Sequence, residues 1–258
     1  SEKGCLAQVA AKTKEKRIRL ICVEKLIGYS SFTDYLLNDN GMFVNALIDL
    51  NKPETVPPLI FALKNGHIGA RILVTKAFST IKDSRVVDAL INELKNKEIN
   101  HLVVKALANN PDQKAVIPLI NLLSTEHFWT KYGAIVALGN IGDKRAVNPL
   151  IKILKHELDL GESVQFNSLL HRTAEALGKI GDQRAIPVLK DTIERGSSKQ
   201  YLVSGSCTGD KNLYASDKYY AAKALLDIQK KAPSTTDKID LKIIKTVQLK
   251  NHRIQGRS

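Results

Sequence analysis

The fold is decided by the stretch Ala137-Leu-Gly-Asn-Ile-Gly-Asp143-Lys-Arg-Ala-Val-Asn-Pro-Leu-Ile-Lys-Ile-Leu154, most of which recurs as Ala176-Leu-Gly-Lys-Ile-Gly-Asp182-Gln-Arg-Ala-Ile-Pro-Val-Leu189. Weaker copies of the same pattern are centred on Ala46-Leu47, Ala77-Phe78, Ala106-Leu107 and Ala224-Leu225. The steps between these alanines are 31, 29, 31, 39 and 48 residues. Such self-similarity at a nearly constant period is typical of a repeat array, with the two longer steps carrying insertions.

Each repeat predicts two helices joined by a turn. Apolar residues after the Asp follow helical spacing, as in Val147, Leu150 and Leu154. The second helix runs up to the Ala-Leu pair, for example over Tyr132–Leu138, with small residues that let neighbouring helices approach closely. In the turn, the glycine takes the left-handed conformation that ends a helix, and Asp143 or Asp182 caps the next one.

The prolines agree with this placement, because a missing N–H is tolerated in the first turn of a helix. They fall 11 or 12 residues after the repeat alanine, at Pro58, Pro118, Pro149 and Pro187. Strand signatures are scarce, since period-2 alternation is rare. We therefore predict an all-α, right-handed α-solenoid of six to seven helix pairs over residues 1–232. Residues 233–258 are predicted to form a basic capping helix and tail, with a membrane-surface or RNA contact as the alternative.

A second regularity is electrostatic. A cation stands six residues before the repeat alanine at Arg71, Lys131 and Lys218, and the turn aspartate recurs at Asp83, Asp112, Asp143 and Asp182. In a stack, each cation is expected to reach the aspartate of a neighbouring repeat. The residues are therefore interpreted as a structural ladder.

The two long steps place insertions near residues 157–167 and 196–216, each between the first and second helix of its repeat. Both insertions should emerge from the same edge of the stack and border a groove. Departures from a regular repeat are where function is expected. The candidate ligand- or partner-binding residues lie in or near these insertions, or are exposed aromatics in the body: Phe166, His171, Arg172, Tyr201, Cys207, Tyr214, Tyr219 and Trp129. The alternative for the longer insertion is an ordinary surface loop.

Charge and composition narrow the function classes. The chain has 258 residues and a net charge of +13, of which residues 1–19 carry +4 and residues 230–258 carry +6. The remaining body is nearly neutral, which weakens a nucleic-acid interpretation. Three cysteines without disulfide or metal spacing predict reduced thiols and a cytoplasmic location. No apolar run is long enough for a membrane span.

Catalytic motifs are scarce. The sequence has no phosphate loop, zinc spacing or nucleophile elbow, and Cys207 has no histidine nearby in sequence. Deoxyhypusine hydroxylases, which are HEAT-like and repeat His-Glu at the start of second helices, differ from this chain, which has His67-Ile68 and His171-Arg172 there. No metal site and no required cofactor are predicted, and no catalytic residue is assigned.

The motif Ala-Leu-Gly-x-Ile-Gly-Asp-x-Arg-Ala resembles the HEAT-like repeats named after phycobilisome lyases. The longer loop before Leu169-Leu-His-Arg-Thr-Ala-Glu-Ala-Leu-Gly-Lys-Ile-Gly-Asp182 is similar to that of E/F-type lyases. This resemblance implies a chain that holds a phycobiliprotein subunit and a linear tetrapyrrole (bilin) as substrate, acting by positioning and sometimes with a second lyase subunit.

Three functions stay open from the sequence. The first is a non-enzymatic protein–protein adaptor, and the second is a bilin lyase or lyase-like chaperone. The third is nucleic-acid binding, including a likeness to HEAT-like alkylpurine DNA glycosylases. A glycosylase of this kind needs an aromatic-lined pocket, and the nearly neutral body of this chain offers only Trp129 for one.

Overall fold

The computed structural model describes residues 5–8, 10, 16–27, 42–50, 52–160, 168–196, 201–203 and 213–231. The chain divides into two compact units, Ser1–Asn110 and Pro111–Ser258. The sequence analysis treated residues 1–232 as one array and did not predict this division. The capping helix predicted for residues 233–258 lies outside the described residues.

Unit 1 is built from helices that pack in pairs. It contains α1 (Lys16–Ile27), α2 (Met42–Leu50), α3 (Val56–Asn65), α4 (Ile68–Ala77), α5 (Ser84–Glu93) and α6 (Asn100–Asn109). Helix α3 packs on α4 and α5 packs on α6, while α2, α4 and α6 contact one another in sequence order. The core of this unit consists mainly of buried aliphatic residues together with Phe43 and Phe78.

Unit 2 continues the same arrangement of paired helices. It contains α7 (Val116–Asn121), α8 (Phe128–Ile141), α9 (Val147–Leu160), α10 (Ser168–Ile180), α11 (Ile186–Arg195) and α12 (Asp217–Lys231). We call the first helix of each repeat the A helix (α7, α9 and α11 here) and the second the B helix (α8, α10 and α12). The B helices pack side by side, α8 on α10 and α10 on α12. The predicted all-α solenoid of HEAT-like helix pairs is thus confirmed.

The turns from a B helix to the next A helix form one edge of unit 2, which we call the turn edge. Gly142 and Gly181 end their helices with φ angles of 76° and 80°, the left-handed region that glycine adopts without a steric penalty. Asp143 and Asp182 then accept a hydrogen bond from the backbone N–H two residues later. Both predictions for the Gly-x-Ile-Gly-Asp turn are confirmed. Such capping is needed because each helix end has polar groups that its own helix cannot satisfy.

The Ala-Leu-Gly part of the motif sets the spacing of the B helices. A Cβ atom on Gly139 would lie 2.8 Å from Cα of Ala176, and one on Gly178 would lie 2.7 Å from Cα of Ala224. Each glycine therefore packs directly against the repeat alanine of the next B helix. Any larger side chain at these positions would push the two backbones apart.

The predicted ladder between cations and turn aspartates is wrong. Arg71 pairs with Glu93 at 2.6 Å and donates to the carbonyl oxygen of Leu63, and Lys218 donates to the carbonyl oxygen of Glu194. These cations lie at the start of B helices, where they meet the carbonyl ends of A helices, a favourable position for positive charge. The aspartates lie at the opposite edge, where A helices begin.

The aspartates instead pair with an arginine two residues later. Asp83 binds Arg85, Asp143 binds Arg145 and Asp182 binds Arg184, while Asp112 caps through the N–H of Lys114. Two of these arginines also link successive repeats: Arg85 donates to the carbonyl oxygen of Pro53 and Arg184 to that of Lys144. The Asp-x-Arg part of the motif thus both caps a helix and joins neighbouring repeats.

The two insertions differ from their predicted form. Helix α9 extends to Leu160, so residues 157–160 of the first predicted loop are helical, with Leu158 buried. The second insertion contains two short strands that the sequence analysis missed, β1 (Tyr201–Val203) and β2 (Leu213–Ala215). They pair antiparallel, with Tyr201 opposite Ala215 and Leu202 opposite Tyr214. Three-residue strands are too short to show a periodic pattern.

Candidate functional site

The polar and aromatic residues of unit 2 concentrate at the amino-terminal ends of its three B helices. We call this group the B-helix cluster; its members are Phe128, Trp129, Tyr132, His171, Arg172, Glu175, Asp217, Tyr219 and Tyr220. The carboxyl-terminal halves of the same helices bury mainly Ala, Leu, Ile and Gly. The cluster is therefore a local departure from an aliphatic interior.

Arg172 joins α8 to α10. Its Nε donates to the hydroxyl oxygen of Tyr132 at 2.7 Å, and its guanidinium carbon lies 5.6 Å from the centre of the Tyr132 ring. The same guanidinium pairs with Glu175 at 2.8 Å, one turn further along α10. Arg172 is 5% exposed, and a buried cation needs such partners to offset its lost hydration.

Glu175 is held between two cations. Lys179 lies 3.1 Å from its other carboxylate oxygen and also donates to the Asn140 side chain on α8. Burial raises the pKa of Glu175, but the charges and hydrogen bonds of Lys179 and Arg172 outweigh it, and the pKa lies below its usual value. For Arg172, burial lowers the pKa, yet Tyr132 and Glu175 together leave it above its usual value. Both groups are charged at neutral pH.

His171 joins α10 to α12. Its Nε2 lies 2.6 Å from Oδ1 of Asp217, the first residue of α12, and both side chains are almost fully buried. The His171 ring also stacks on Tyr220, with centroids 4.7 Å apart. Because the two residues are 46 positions apart in sequence, this contact holds the start of α12 against α10 across the second insertion.

The phenol group of Tyr220 has a strongly raised pKa. Burial raises its pKa to about 12, although the nearby charge of Arg172 acts in the opposite direction. The side chain is 6% exposed, so the phenolate form would be poorly hydrated. Tyr220 is therefore a neutral packing partner of His171, with Tyr219 edge-on to it at 5.6 Å.

Three aromatic rings stand at the start of α8. Trp129 lies edge-on to Phe128 at 5.1 Å and to Tyr132 at 5.9 Å. Trp129 is 53% exposed although its neighbours are partly or fully buried. The helix is capped by His127, whose Nδ1 accepts a hydrogen bond from the N–H of Thr130. The result is a rigid aromatic surface of which the indole is the solvent-facing part.

Both insertions start and end at one edge of unit 2, which we call the insertion edge. Arg195, at the end of α11, pairs with Asp159 near the end of α9 at 2.7 Å. The His171–Asp217 contact brings together the starts of the next two B helices. These two contacts support the prediction that the insertions emerge side by side, next to the B-helix cluster.

Four of the predicted site residues, Trp129, His171, Arg172 and Tyr219, belong to the cluster. They are connected through Tyr132 and Tyr220. The backbones of Tyr201 and Tyr214 lie in the strand pair. Phe166 and Cys207 lie outside the described residues, so their assignment stays a prediction. Cys5 and Cys22 are free cysteines.

The sequence analysis missed Tyr132, Glu175, Asp217 and Tyr220. A signal for part of the cluster was present, because four successive repeats carry an aromatic ring five residues before the repeat alanine: His101, Tyr132, His171 and Tyr219. No comparable signal marks Asp217, which lies at the end of a long insertion and becomes a partner of His171 only through packing.

The cluster is suited to binding. It offers an exposed indole, buried charges with fixed partners and two insertions at its border. Among the described residues, no group of histidine, cysteine and acidic side chains is arranged to hold a metal ion. A search of the described helices for one long and apolar enough to cross a membrane also found none.

Two family models for helical repeats match parts of this chain. Residues 87–161 match the family model for HEAT repeats, and residues 169–194 match the PBS lyase HEAT-like repeat. This chain therefore contains HEAT-like repeats within these residues. The second match covers most of α10 and α11 and therefore includes His171, Arg172 and Glu175. A search of curated proteins found no match to this HEAT-like repeat protein.

One solved structure supports the repeat architecture, and a second is reported as a weaker similarity. A designed armadillo repeat protein in complex with the peptide (KR)4 matches with a TM-score of 0.50 and 16% identity, over 88% of this chain and 100% of the other. The complex of CpcE and CpcF of phycocyanin lyase from Nostoc matches with a TM-score of 0.39 and 17% identity, over 94% and 92% of the two chains. At these identities the likeness concerns the fold alone.

Proposed function

We propose that this HEAT-like repeat protein is a scaffold that holds a protein partner at the B-helix cluster of unit 2. Its more specific role in this proposal is that of a phycobiliprotein lyase or lyase-like chaperone, which helps attach a bilin to a cysteine of the partner. The observation that carries the proposal is the B-helix cluster itself, which interrupts an aliphatic stack next to both insertions.

The side chains of the cluster suit a ligand with an extended conjugated system. Trp129 presents an exposed aromatic surface, and aromatic rings stack favourably on extended π systems. Arg172 lies behind Tyr132 and fixes its ring through a hydrogen bond and a cation–π contact. Side chains whose orientation is locked by such contacts can position a ligand without further ordering.

The family match supports the finer part of the proposal. The PBS lyase HEAT-like repeat coincides with the segment that contributes His171, Arg172 and Glu175. In the proposed role the protein supplies position and orientation to the thiol of the acceptor and to the bilin. The thiol adds across a bilin double bond, sulfur bonding to one carbon and the proton going to the conjugated system, so the step needs no external oxidant or reductant.

The first experiment mixes the full chain with phycocyanobilin or phycoerythrobilin and records absorbance spectra. A bound bilin is expected to show a shifted and sharpened long-wavelength band. Trp129→Ala should reduce this change, whereas Ile117→Ala, at a side chain that is 50% exposed on α7, should not. An unchanged spectrum with both bilins would remove the lyase role.

The second experiment adds a phycobiliprotein acceptor subunit, with and without candidate second lyase subunits. A lyase is expected to give a covalent adduct at an acceptor cysteine, detected by mass spectrometry after denaturation. A stable complex without an adduct would leave the adaptor function alone. Binding to DNA or RNA that weakens steeply between about 50 and 200 mM salt, without any protein complex, would replace the proposal with nucleic-acid binding.

A further inference from the structure

The charge of unit 2 is unequally divided between its two sets of helices. The B helices carry seven lysine or arginine residues against three acids, a net charge of +4. The A helices and the turns that flank them, at 111–127, 142–160 and 181–196, carry eight cations against eight acids. The net charge of the body is therefore close to zero although the B helices of unit 2 carry a net positive charge.

Three of these cations share a helix face in the repeat register, because Lys223 stands one residue before its repeat alanine, as Glu175 does in α10, and Glu175 contacts Lys179. Lys179, with a 40% exposed side chain, contacts Asn140 of α8. Lys223 and Lys230 are two helical turns apart on α12, which places them on one side of that helix. Lys223 is exposed, and the side chain of Lys230 is 76% exposed. We call Lys179, Lys223 and Lys230 the B-helix cations.

The acids on this surface compensate only part of that charge. Glu175 already binds both Arg172 and Lys179. Asp227 lies 3.9 Å from Lys230, a distance at which an exposed pair contributes little. The surface therefore keeps an excess of positive charge after its internal pairs are formed.

An apolar anchor lies on the same surface. Trp129 and Asn140 are eleven positions apart on α8, which is about three helical turns and the same side of the helix. Arg172 and Glu175 connect the aromatic end to Lys179 by consecutive contacts. Tryptophan, tyrosine and arginine are the residue types that most often dominate interface energies.

We infer that the B-helix surface of unit 2 docks an acidic protein surface, with Trp129 as the apolar anchor and the B-helix cations as its electrostatic complement. This inference rests on the proposed scaffold function and names the chemical class of its partner. Charge complementarity of this kind raises association rates and excludes basic partners.

The test uses the full chain and a fluorescent peptide in which glutamates surround a single leucine. Binding is followed by anisotropy, with a lysine-based peptide of the same design and a single-stranded DNA oligonucleotide as further probes. The variant K223E/K230E should bind the acidic peptide about tenfold more weakly. Trp129→Ala should weaken binding by a similar factor, and the lysine-based peptide should not bind.

The matched control is K152E/K155E, which changes the net charge equally on the A helix α9, where both lysines are exposed. Binding by this control should stay within about twofold of the parent chain. Ile117→Ala serves as the control for Trp129→Ala. Thermal melts establish that each variant folds, and Lys223→Gln with Lys230→Gln replaces the reversal if it does not.

Several outcomes would overturn the inference. Equal weakening by both double variants would mean that net charge alone attracts the peptide. DNA binding without peptide binding would favour a nucleic-acid surface, and no effect of K223E/K230E would place docking elsewhere. A bilin spectral change in a protein that ignores the acidic peptide would refute only this inference, so its failure differs from failure of the lyase role.

Discussion

The turn edge and the insertion edge of unit 2 belong to the same helices and are built on different principles. At the turn edge, the two full copies of the motif use the same residues for the same tasks: glycine ends a helix, and aspartate caps the next one through the N–H of an arginine two residues later. At the insertion edge, every repeat differs, and the contacts are made by Tyr132, Arg172, His171 and Asp217.

The comparison of the two edges shows at which end of a B helix the side chains can differ between repeats. Close backbone contact at Gly139 and Gly178 fixes the spacing of the B helices near the turn edge. Once that spacing is set, the opposite ends of the helices can carry polar and aromatic side chains without losing the stack. The regular packing and capping contacts then lie toward one edge, and the residues proposed for binding lie at the other. Four predictions test this division.

The largest effect is expected from Gly139→Ala. The new Cβ would lie 2.8 Å from Cα of Ala176, so α8 and α10 must move apart, and the free energy of unfolding should fall by about 2–3 kcal/mol. Gly142→Ala is the control, because a Cβ atom at this position would meet nothing within 4 Å. Its free energy of unfolding should fall by only about 1 kcal/mol, since alanine is unfavourable in the left-handed conformation. Chemical denaturation compares the two, and equal losses would contradict the role of close packing.

Asp217→Ala should have the next largest effect. It removes the hydrogen bond to His171 at a nearly fully buried site, and we expect a loss of about 2 kcal/mol in unfolding free energy. Asp227→Ala, at a partly exposed acid on the same helix, should change it by less than about 0.5 kcal/mol. If the two variants are equally stable, the His171–Asp217 contact does not hold α12 in place.

A smaller loss is expected from Asp182→Ala, which removes a helix cap and should cost about 1 kcal/mol. Asp182→Asn keeps the cap and should cost less. The hydrogen bond from Arg184 holds the pKa of Asp182 below its usual value. The unfolded chain therefore binds the proton first, and this contribution is present at neutral pH and disappears on acidification. Stability curves of parent and variant should converge at low pH; a constant gap would contradict the carboxylate's role.

The smallest effect at neutral pH is expected from Tyr220→Phe. The parent protein should show phenolate absorbance that appears only near pH 12 and is absent in the variant. Because the folded pKa lies above the unfolded value, Tyr220 contributes stability below about pH 10 that is lost as the pH rises toward 12. Seven tyrosines titrating together in the folded protein would show that Tyr220 is not buried.

Much of the fold was predictable because local rules repeat. The helix pairs, the left-handed Gly142 and Gly181, and the caps Asp143 and Asp182 follow from residues close in sequence. The ladder prediction failed because sequence spacing does not reveal which edge a side chain occupies. Arg71 lies near the carbonyl end of an A helix, whereas Asp83 lies at the start of the next one.

The candidate site was predictable only in part. Trp129, His171, Arg172 and Tyr219 were identified as unusual residues in a regular array, but their connecting partners were not. Tyr132 looked like an ordinary helix residue until Arg172 was placed against its hydroxyl group. Residues with little local signal become functional candidates when packing brings them together across an insertion.

Residues close together in the chain are enough to specify the repeat, its helix pairs and its caps, because periodicity, glycine and aspartate act on the backbone within a few residues. Only the tertiary structure decided that Tyr132, Arg172, His171, Asp217 and Tyr220 form one cluster. Their partners lie 40 or more positions away, so their contacts depend on the spacing and rotation of neighbouring helices. Those quantities are set by close packing around Gly139 and Gly178.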